Sequence, residues 1–251
     1  MNKGWLQNYH GGWAMLALPP ALGIRHGGFA LAHLALLSAW LAAYFSFFAA
    51  TLYFRHHFAR QNLPAFITYA AVTLAASAVL IALRPFVLYY SPLFLLLALI
   101  ALHEARLHRE RSLLSGINSV LFAAMIFPVA CQIGISDNAP PLLPQYCYWI
   151  TLLIFMYFAG TVWYVKSIIR EKKSIQYAYY STAWYMLAVI VAVAACWHNP
   201  QIRKIHILVC ILLLLRAFFM ARLVRQAKKI SIKFVGVLEI AGSLLVFISL
   251  L

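Results

Sequence analysis

The sequence predicts an all-α fold, a polytopic transmembrane helical bundle of about nine helices. Three observations predict it. The chain is 65% hydrophobic and only 10% charged over 251 residues. Its apolar residues gather into nine runs separated by short polar breaks. Its basic residues collect in every second break, the positive-inside pattern of an inner-membrane protein. A helix needs about 20 mostly apolar residues to cross the hydrocarbon core. The runs lack the alternation of barrel strands, and only helices or closed barrels satisfy their backbone in lipid.

The runs cover 13–24, 29–54, 65–83, 86–103, 117–135, 148–165, 177–197, 205–222 and 234–251. The first is short and holds Pro19 and Pro20. It reads either as a full crossing or as a broken or re-entrant helix, which leaves eight crossings. The strongly basic breaks carry Arg55 and Arg60; Arg106, Arg109 and Arg111; Lys166, Arg170, Lys172 and Lys173; and Arg225, Lys228, Lys229 and Lys233. The alternate breaks carry only Arg25, Arg84, Arg203 and Lys204. This bias predicts a cytoplasmic N-terminus and a periplasmic C-terminus.

The net charge of +15 is explained by topology and by attraction to anionic lipid, so membrane lipids rather than nucleic acid are the expected partners. Residues 1–10 lack the pattern of a cleavable signal. No break is long enough for an extramembrane domain, so a single integral membrane domain over 1–251 is expected.

No phosphate-binding loop, nucleophile elbow or His-Glu-x-x-His is present. The five carboxylates, Glu104, Glu110, Asp137, Glu171 and Glu239, are scattered. Magnesium sites draw on clustered oxygen ligands, so neither a metal nor a cofactor is called for. Two ionisable residues fall inside spans. Arg216 and Glu239 stand in consecutive runs at similar depth, and an intramembrane ion pair is the expected arrangement. A carboxylate that handles a proton or a ligand is the functional alternative.

Arg55, His56, His57 and Arg60 follow the second run, and Tyr164, Lys166, Arg170 and Glu171 follow or end the sixth. Such clusters are ordinarily solvated juxtamembrane charge. The sharper reading is an anion-binding rim, because Arg and Lys match phosphate and carboxylate groups. His10-Gly11-Gly12-Trp13 opens the first run, where Trp is an ordinary interfacial anchor. Cys131, Cys147, Cys196 and Cys210 fall in the outer half with His198 and His206. Small buried hydrophobes are the usual meaning, and a disulfide or soft-metal site stays open.

Three stretches carry a family resemblance: His10-Gly11-Gly12-Trp13-Ala14-Met15-Leu16; Phe158-Ala159-Gly160-Thr161-Val162-Trp163-Tyr164-Val165-Lys166 through Glu171; and Gly236-Val237-Leu238-Glu239-Ile240. With these the chain resembles the YwiC-like bacterial membrane proteins over nearly its full length. It departs from that pattern at Gly12, where Ala is usual, and at Ser119 after Asn118, where Asp is common. The layout is also similar to the UbiA prenyltransferase superfamily, nine helices around a lipid-facing cavity. Where that superfamily carries Asp-rich motifs, this chain has bases at 52–60 and 165–171. The resemblance therefore implies a related bundle without magnesium-held diphosphate chemistry.

Three function classes follow. The first is binding or moving a hydrophobic ligand with an anionic head, such as an isoprenoid, quinone or lipid. Its ligand residues would be His10, Trp13, Arg55, His56, Arg60, Asn118, Tyr164, Lys166, Arg170 and Glu171. The second is a metal-independent membrane transferase with His10, His56, Tyr164 and Glu171 as acid–base groups. The third is a structural or assembly partner of another membrane protein. The shortage of acids favours the first over the second.

Overall fold

A computed structural model describes residues 5, 10–55, 62–135, 143–171, 174–225 and 231–251, with side chains for all of these except 10, 11, 55, 224, 225 and 232. The described residues form helices and no strand. In order they are α1 (His10–Gly27), α2 (Ala32–Arg55), α3 (Leu63–Leu83), α4 (Ser91–Arg106), α5 (Leu113–Ala124), α6 (Ile126–Ile135), α7 (Gln145–Val165), α8 (Ile175–His198), α9 (Ile205–Arg225) and α10 (Ile232–Leu250). A 3₁₀ turn, Pro85–Tyr90, leads into α4, and a π turn, Lys166–Arg170, continues α7.

Eight segments among the described residues are long and apolar enough to cross a membrane. They are α2, α3, α4 with its 3₁₀ turn, α5 with α6, α7 with its π turn, α8, α9 and α10. In six of the eight the apolar side chains are largely uncovered. Only 6% of the α3 window is buried, and Leu74, Tyr89, Ile190 and Val237 are all more than half exposed. Apolar faces this extensive are an aggregation hazard in water and the normal lining in lipid. The chain is a multi-pass membrane protein.

The chain forms two compact units, Met1–Leu143 and Pro144–Leu251. In the first, α1 is one unbroken helix that contains both prolines, so the expected break at Pro19-Pro20 is absent, while the count of eight long apolar segments without α1 stands. A proline cannot donate to the carbonyl four residues back. Pro20 therefore orphans the carbonyl of Leu16, and the Trp40 indole of α2 donates to it at 2.9 Å. The side-chain cap replaces the missing backbone bond, and the helix continues. Eighteen residues at 1.5 Å each make α1 about 27 Å long. It falls outside the eight segments because His10, Arg25, His26 and its glycines dilute its hydropathy.

Beside α1 runs α6. Gly27 and Gly134 face each other there so closely that a Cβ on either would meet the partner backbone. Close approach through small residues is how membrane helices pack tightly. His33, fully buried at the start of α2, locks the corner. Its Nε2 donates to the Ala130 carbonyl at 2.8 Å, while Nδ1 accepts from the Ala30 amide at 2.9 Å. The run 117–135 of the sequence is broken at Met125, because Pro128 cannot bond to the Ala124 carbonyl and crowds it. At the other end of α5, Ser112 caps the helix by accepting from the Ser115 amide at 2.9 Å. The same hydroxyl donates to the buried Glu104 carboxylate.

In the second unit, α7 contacts α8, α8 contacts α9, α9 contacts α10, and α10 returns to α7. This closed ring of four helices leaves α7 the most covered span, 67% buried. Polar side chains inside such a ring must find partners from facing helices, because lipid offers none.

Candidate functional site

The four helices of the second unit meet on one polar cluster. Arg216 lies near the middle of α9, nine residues before Arg225, or about 14 Å. Glu239 lies seven residues into α10, about 10 Å along. Arg216 Nη1 is 2.9 Å from Glu239 Oε1, with both side chains largely buried. Nη1 also reaches the Leu238 carbonyl at 3.3 Å, and Nη2 donates to the Tyr185 hydroxyl of α8 at 3.0 Å. The guanidinium lies over the Tyr164 ring of α7, 4.1 Å from its centroid. A desolvated cation over an aromatic face gains about 2 kcal/mol or more.

Tyr157, two turns before Tyr164 on α7, shares a 2.9 Å hydrogen bond with Ser243 of α10. Both hydroxyls also approach the Glu239 carbonyl, at 3.2 and 2.8 Å. Gly160 makes room for the arrangement, since a Cβ there would lie 2.9 Å from the Tyr185 ring. Six buried atoms of the unit lack hydrogen-bond partners among the described residues: Arg216 Nε, Glu239 Oε1, the Tyr164 and Ser181 hydroxyls, Trp163 Nε1 and Asn199 Nδ2. The Arg216–Glu239 contact is thus a close ion pair rather than an aligned hydrogen bond.

Toward the start of α9 a second polar group is fully satisfied. Ser249 donates to the Val246 carbonyl at 2.9 Å, so its oxygen accepts from His206 Nδ1 at 2.7 Å. That leaves His206 Nε2 to accept from the Cys210 thiol at 3.5 Å. A cavity of about 10 Å³, near the lower bound for one water, lies between the two groups and is lined by Tyr157, Tyr185, His206 and Cys210. No three of His, Cys, Asp and Glu come together as metal ligands among the described residues.

The sequence candidates scatter more widely. Tyr164 belongs to the cluster, fully buried. Lys166 was expected in a polar break, yet it stands in the π turn and is 8% exposed, with its ammonium 5.6 Å from the Tyr177 ring centroid. Helical bonding continues through the apolar Ile168 and Ile169, which carries the span to Arg170. Arg170 ends that turn exposed, and Glu171 follows it, also exposed. In the first unit, the Asn118 amide is committed to the Leu97 carbonyl at 2.9 Å. Trp13 is 44% exposed and packs edge-on against Phe45. His10 and Arg55 are terminal residues of α1 and α2 whose side chains are outside the described set, and His56 and Arg60 lie outside the described residues. Sequence reasoning missed Tyr157, Tyr185, Ser181 and Ser243. Their only signal is that hydroxyls inside apolar runs need polar partners.

The Gly160–Tyr164 stretch and Glu239, both carried by the family resemblance, thus meet in one cluster. A family model described as YwiC-like protein matches residues 6–131, half of the chain. The chain belongs to the YwiC-like family. A relative called uncharacterized protein YwiC, from Bacillus subtilis strain 168, is 29% identical over 185 residues, covering 74% of this chain and 75% of its own. An uncharacterized protein of Haemophilus influenzae is 24% identical over 251 residues, 98% of this chain and 97% of its own. No solved structure matches. For this YwiC-like protein the cluster lies in the half beyond the matched segment, within the reach of the second relative.

Proposed function

We propose that this YwiC-like protein binds, and moves within the membrane, an amphipathic ligand with an anionic head. The observation that carries the reading is Lys166. Its side chain is covered near the end of a span, and it makes no ion pair among the described residues. The attraction of nearby Glu171 is opposed by Arg170, covering a cation without a paired counter-ion is costly, and an anionic head would reduce that cost. Arg170, one turn on, adds a second positive charge and a planar donor set suited to phosphate or carboxylate. Tyr164 connects this entrance to the deeper Arg216. The reading rests on the second unit alone and needs no UbiA-like central cavity. An isoprenoid, quinone-related or lipid tail would run along the apolar helix faces.

The accompanying topology is nine crossings in a bacterial inner membrane, N-terminus cytoplasmic and C-terminus periplasmic. The basic breaks support it. So does α1, whose Gly23 and Gly27 follow Ala130 and Gly134 in step, so it runs parallel to α6 and reaches about 27 Å. The function is tested by mass spectrometry of small molecules retained by gently solubilised protein. An anionic amphiphile should accompany the parent and be depleted in Lys166→Met. The same complement in both proteins overturns the reading.

A further inference from the structure

The Arg216–Glu239 pair has capacity to spare. Arg216 commits Nη1 to Glu239 and the Leu238 carbonyl, and Nη2 to Tyr185. Its Nε–H is buried without an acceptor among the described residues, and Glu239 Oε1 has no aligned donor. The hydroxyls of Tyr164 and Ser181, 0% and 2% exposed, lack partners as well. Register puts these two at one level. Gly160 lies against the Tyr185 ring, and α7 and α8 are consecutive antiparallel spans. Tyr164, one turn beyond Gly160, is therefore level with Ser181, one turn before Tyr185. Buried polar groups are almost always satisfied, so unused donors and acceptors beside a charged pair mark a place that accepts a polar guest.

Charge balance dictates what that guest brings with it. An anion arriving at Arg216 while Glu239 stays ionised leaves a net negative charge inside the bundle. A proton arriving alone on Glu239 leaves Arg216 uncompensated. Either state carries a heavy desolvation penalty. Both arriving together keep the site neutral. We infer that Glu239 is a stand-in counter-ion, displaced from Arg216 when an anionic head and one proton enter together. The carboxylate gains an O–H bond, Arg216 keeps its charge and transfers its ion pair to the head, and the proton leaves with the head. The groups facing Glu239 are Arg216 from α9, Tyr157 and Tyr164 from α7, and Tyr185 from α8. Phenols stay neutral well below pH of about 10, so Glu239 is the member whose charge changes. This inference rests on the anionic-head reading above and adds its coupling to protons.

The test uses the full chain in zwitterionic nanodiscs, with decanesulfonate as probe and decyltrimethylammonium as the cationic control. The sulfonate head stays ionised throughout, so any proton uptake belongs to the protein. Calorimetry in buffers of different ionisation heat gives both affinity and protons taken up. Wild type should take up one proton per bound probe and lose affinity about tenfold per pH unit on the alkaline side. Glu239→Gln, a neutral mimic of the protonated acid, should bind the probe without uptake and without pH dependence. Saturable wild-type binding with no uptake and no pH dependence overturns the coupling and leaves the anionic-head reading standing. No saturable binding beyond the control in either protein, at any pH, overturns that reading too. If the Gln variant does not fold, the wild-type slope and proton count decide alone.

Discussion

The indole nitrogen of Trp40 donates to the carbonyl oxygen of Leu16 at 2.9 Å, supplying the hydrogen bond that Pro20 withholds. An orphaned buried carbonyl costs about 1–3 kcal/mol. Trp40→Phe should therefore lower the midpoint of thermal unfolding in detergent. Pro20→Ala restores the backbone donor, so it should cost less in the Trp40→Phe background than in the parent. Equal effects in both backgrounds would show that the indole and the proline are not coupled.

Arg216 and Glu239 give a second measurable relationship. Breaking a buried pair by removing one member costs about 3–5 kcal/mol in soluble proteins, and water or relaxation in a bundle lessens it. Glu239→Gln and Arg216→Met should each destabilise, and the double variant should recover part of the loss. Strict additivity in the four unfolding midpoints would separate the two side chains energetically, despite their 2.9 Å contact.

Gly160 tests whether the cluster depends on close packing. A methyl group there would press on the Tyr185 ring at 2.9 Å, and that ring's hydroxyl accepts from Arg216 Nη2. Overpacking of this kind costs about 1–3 kcal/mol. Gly160→Ala should destabilise, and Tyr185→Leu, which removes the obstructing ring, should blunt the effect in combination. An unchanged midpoint for Gly160→Ala would mean that α7 and α8 have slack at this level.

Periodicity and composition carry the spans, because crossing lipid is a local demand on about 20 consecutive residues. Helix rise and one short connection suffice to place Arg216 and Glu239 at similar depth. What stays hidden is nonlocal. Pro19 and Pro20 argue for a break until Trp40, on the next helix, is known to cap Leu16. Lys166 reads as a loop cation until the π turn and the Tyr177 ring cover it. Asn118 reads as a ligand residue until the Leu97 carbonyl claims it. Each depends on which face of a helix turns inward, and α2 and α7 are too uniformly apolar to say so, while the polar stripe of α5 does not name the partner of Asn118.

Topology is open to a direct check. An alkaline phosphatase fused after Leu251 should be active, and one fused in the α4–α5 turn after Arg109 should be inactive. The motivation is the alternation of basic breaks together with the full-length α1. Activity only at the internal fusion would invert the whole arrangement.

The entrance cations separate a site from a topology signal. Arg170 and Lys166 sit on one π turn, with Lys166 covered and Arg170 exposed at its end. If they serve only as positive-inside determinants, any positive charge will do, and Arg170→Lys changes nothing. If they hold an anionic head, the planar fork matters, because an ammonium offers a point charge without bidentate geometry. Arg170→Lys should then deplete the copurifying amphiphile several-fold while expression and fusion-reported topology stay unchanged. Lys166→Arg tests the same point in the other direction. The larger guanidinium must stack on the same Tyr177 ring, so retention of the amphiphile should survive if charge and stacking suffice. Identical small-molecule profiles in the parent, Arg170→Lys and Lys166→Met would assign these residues to topology alone.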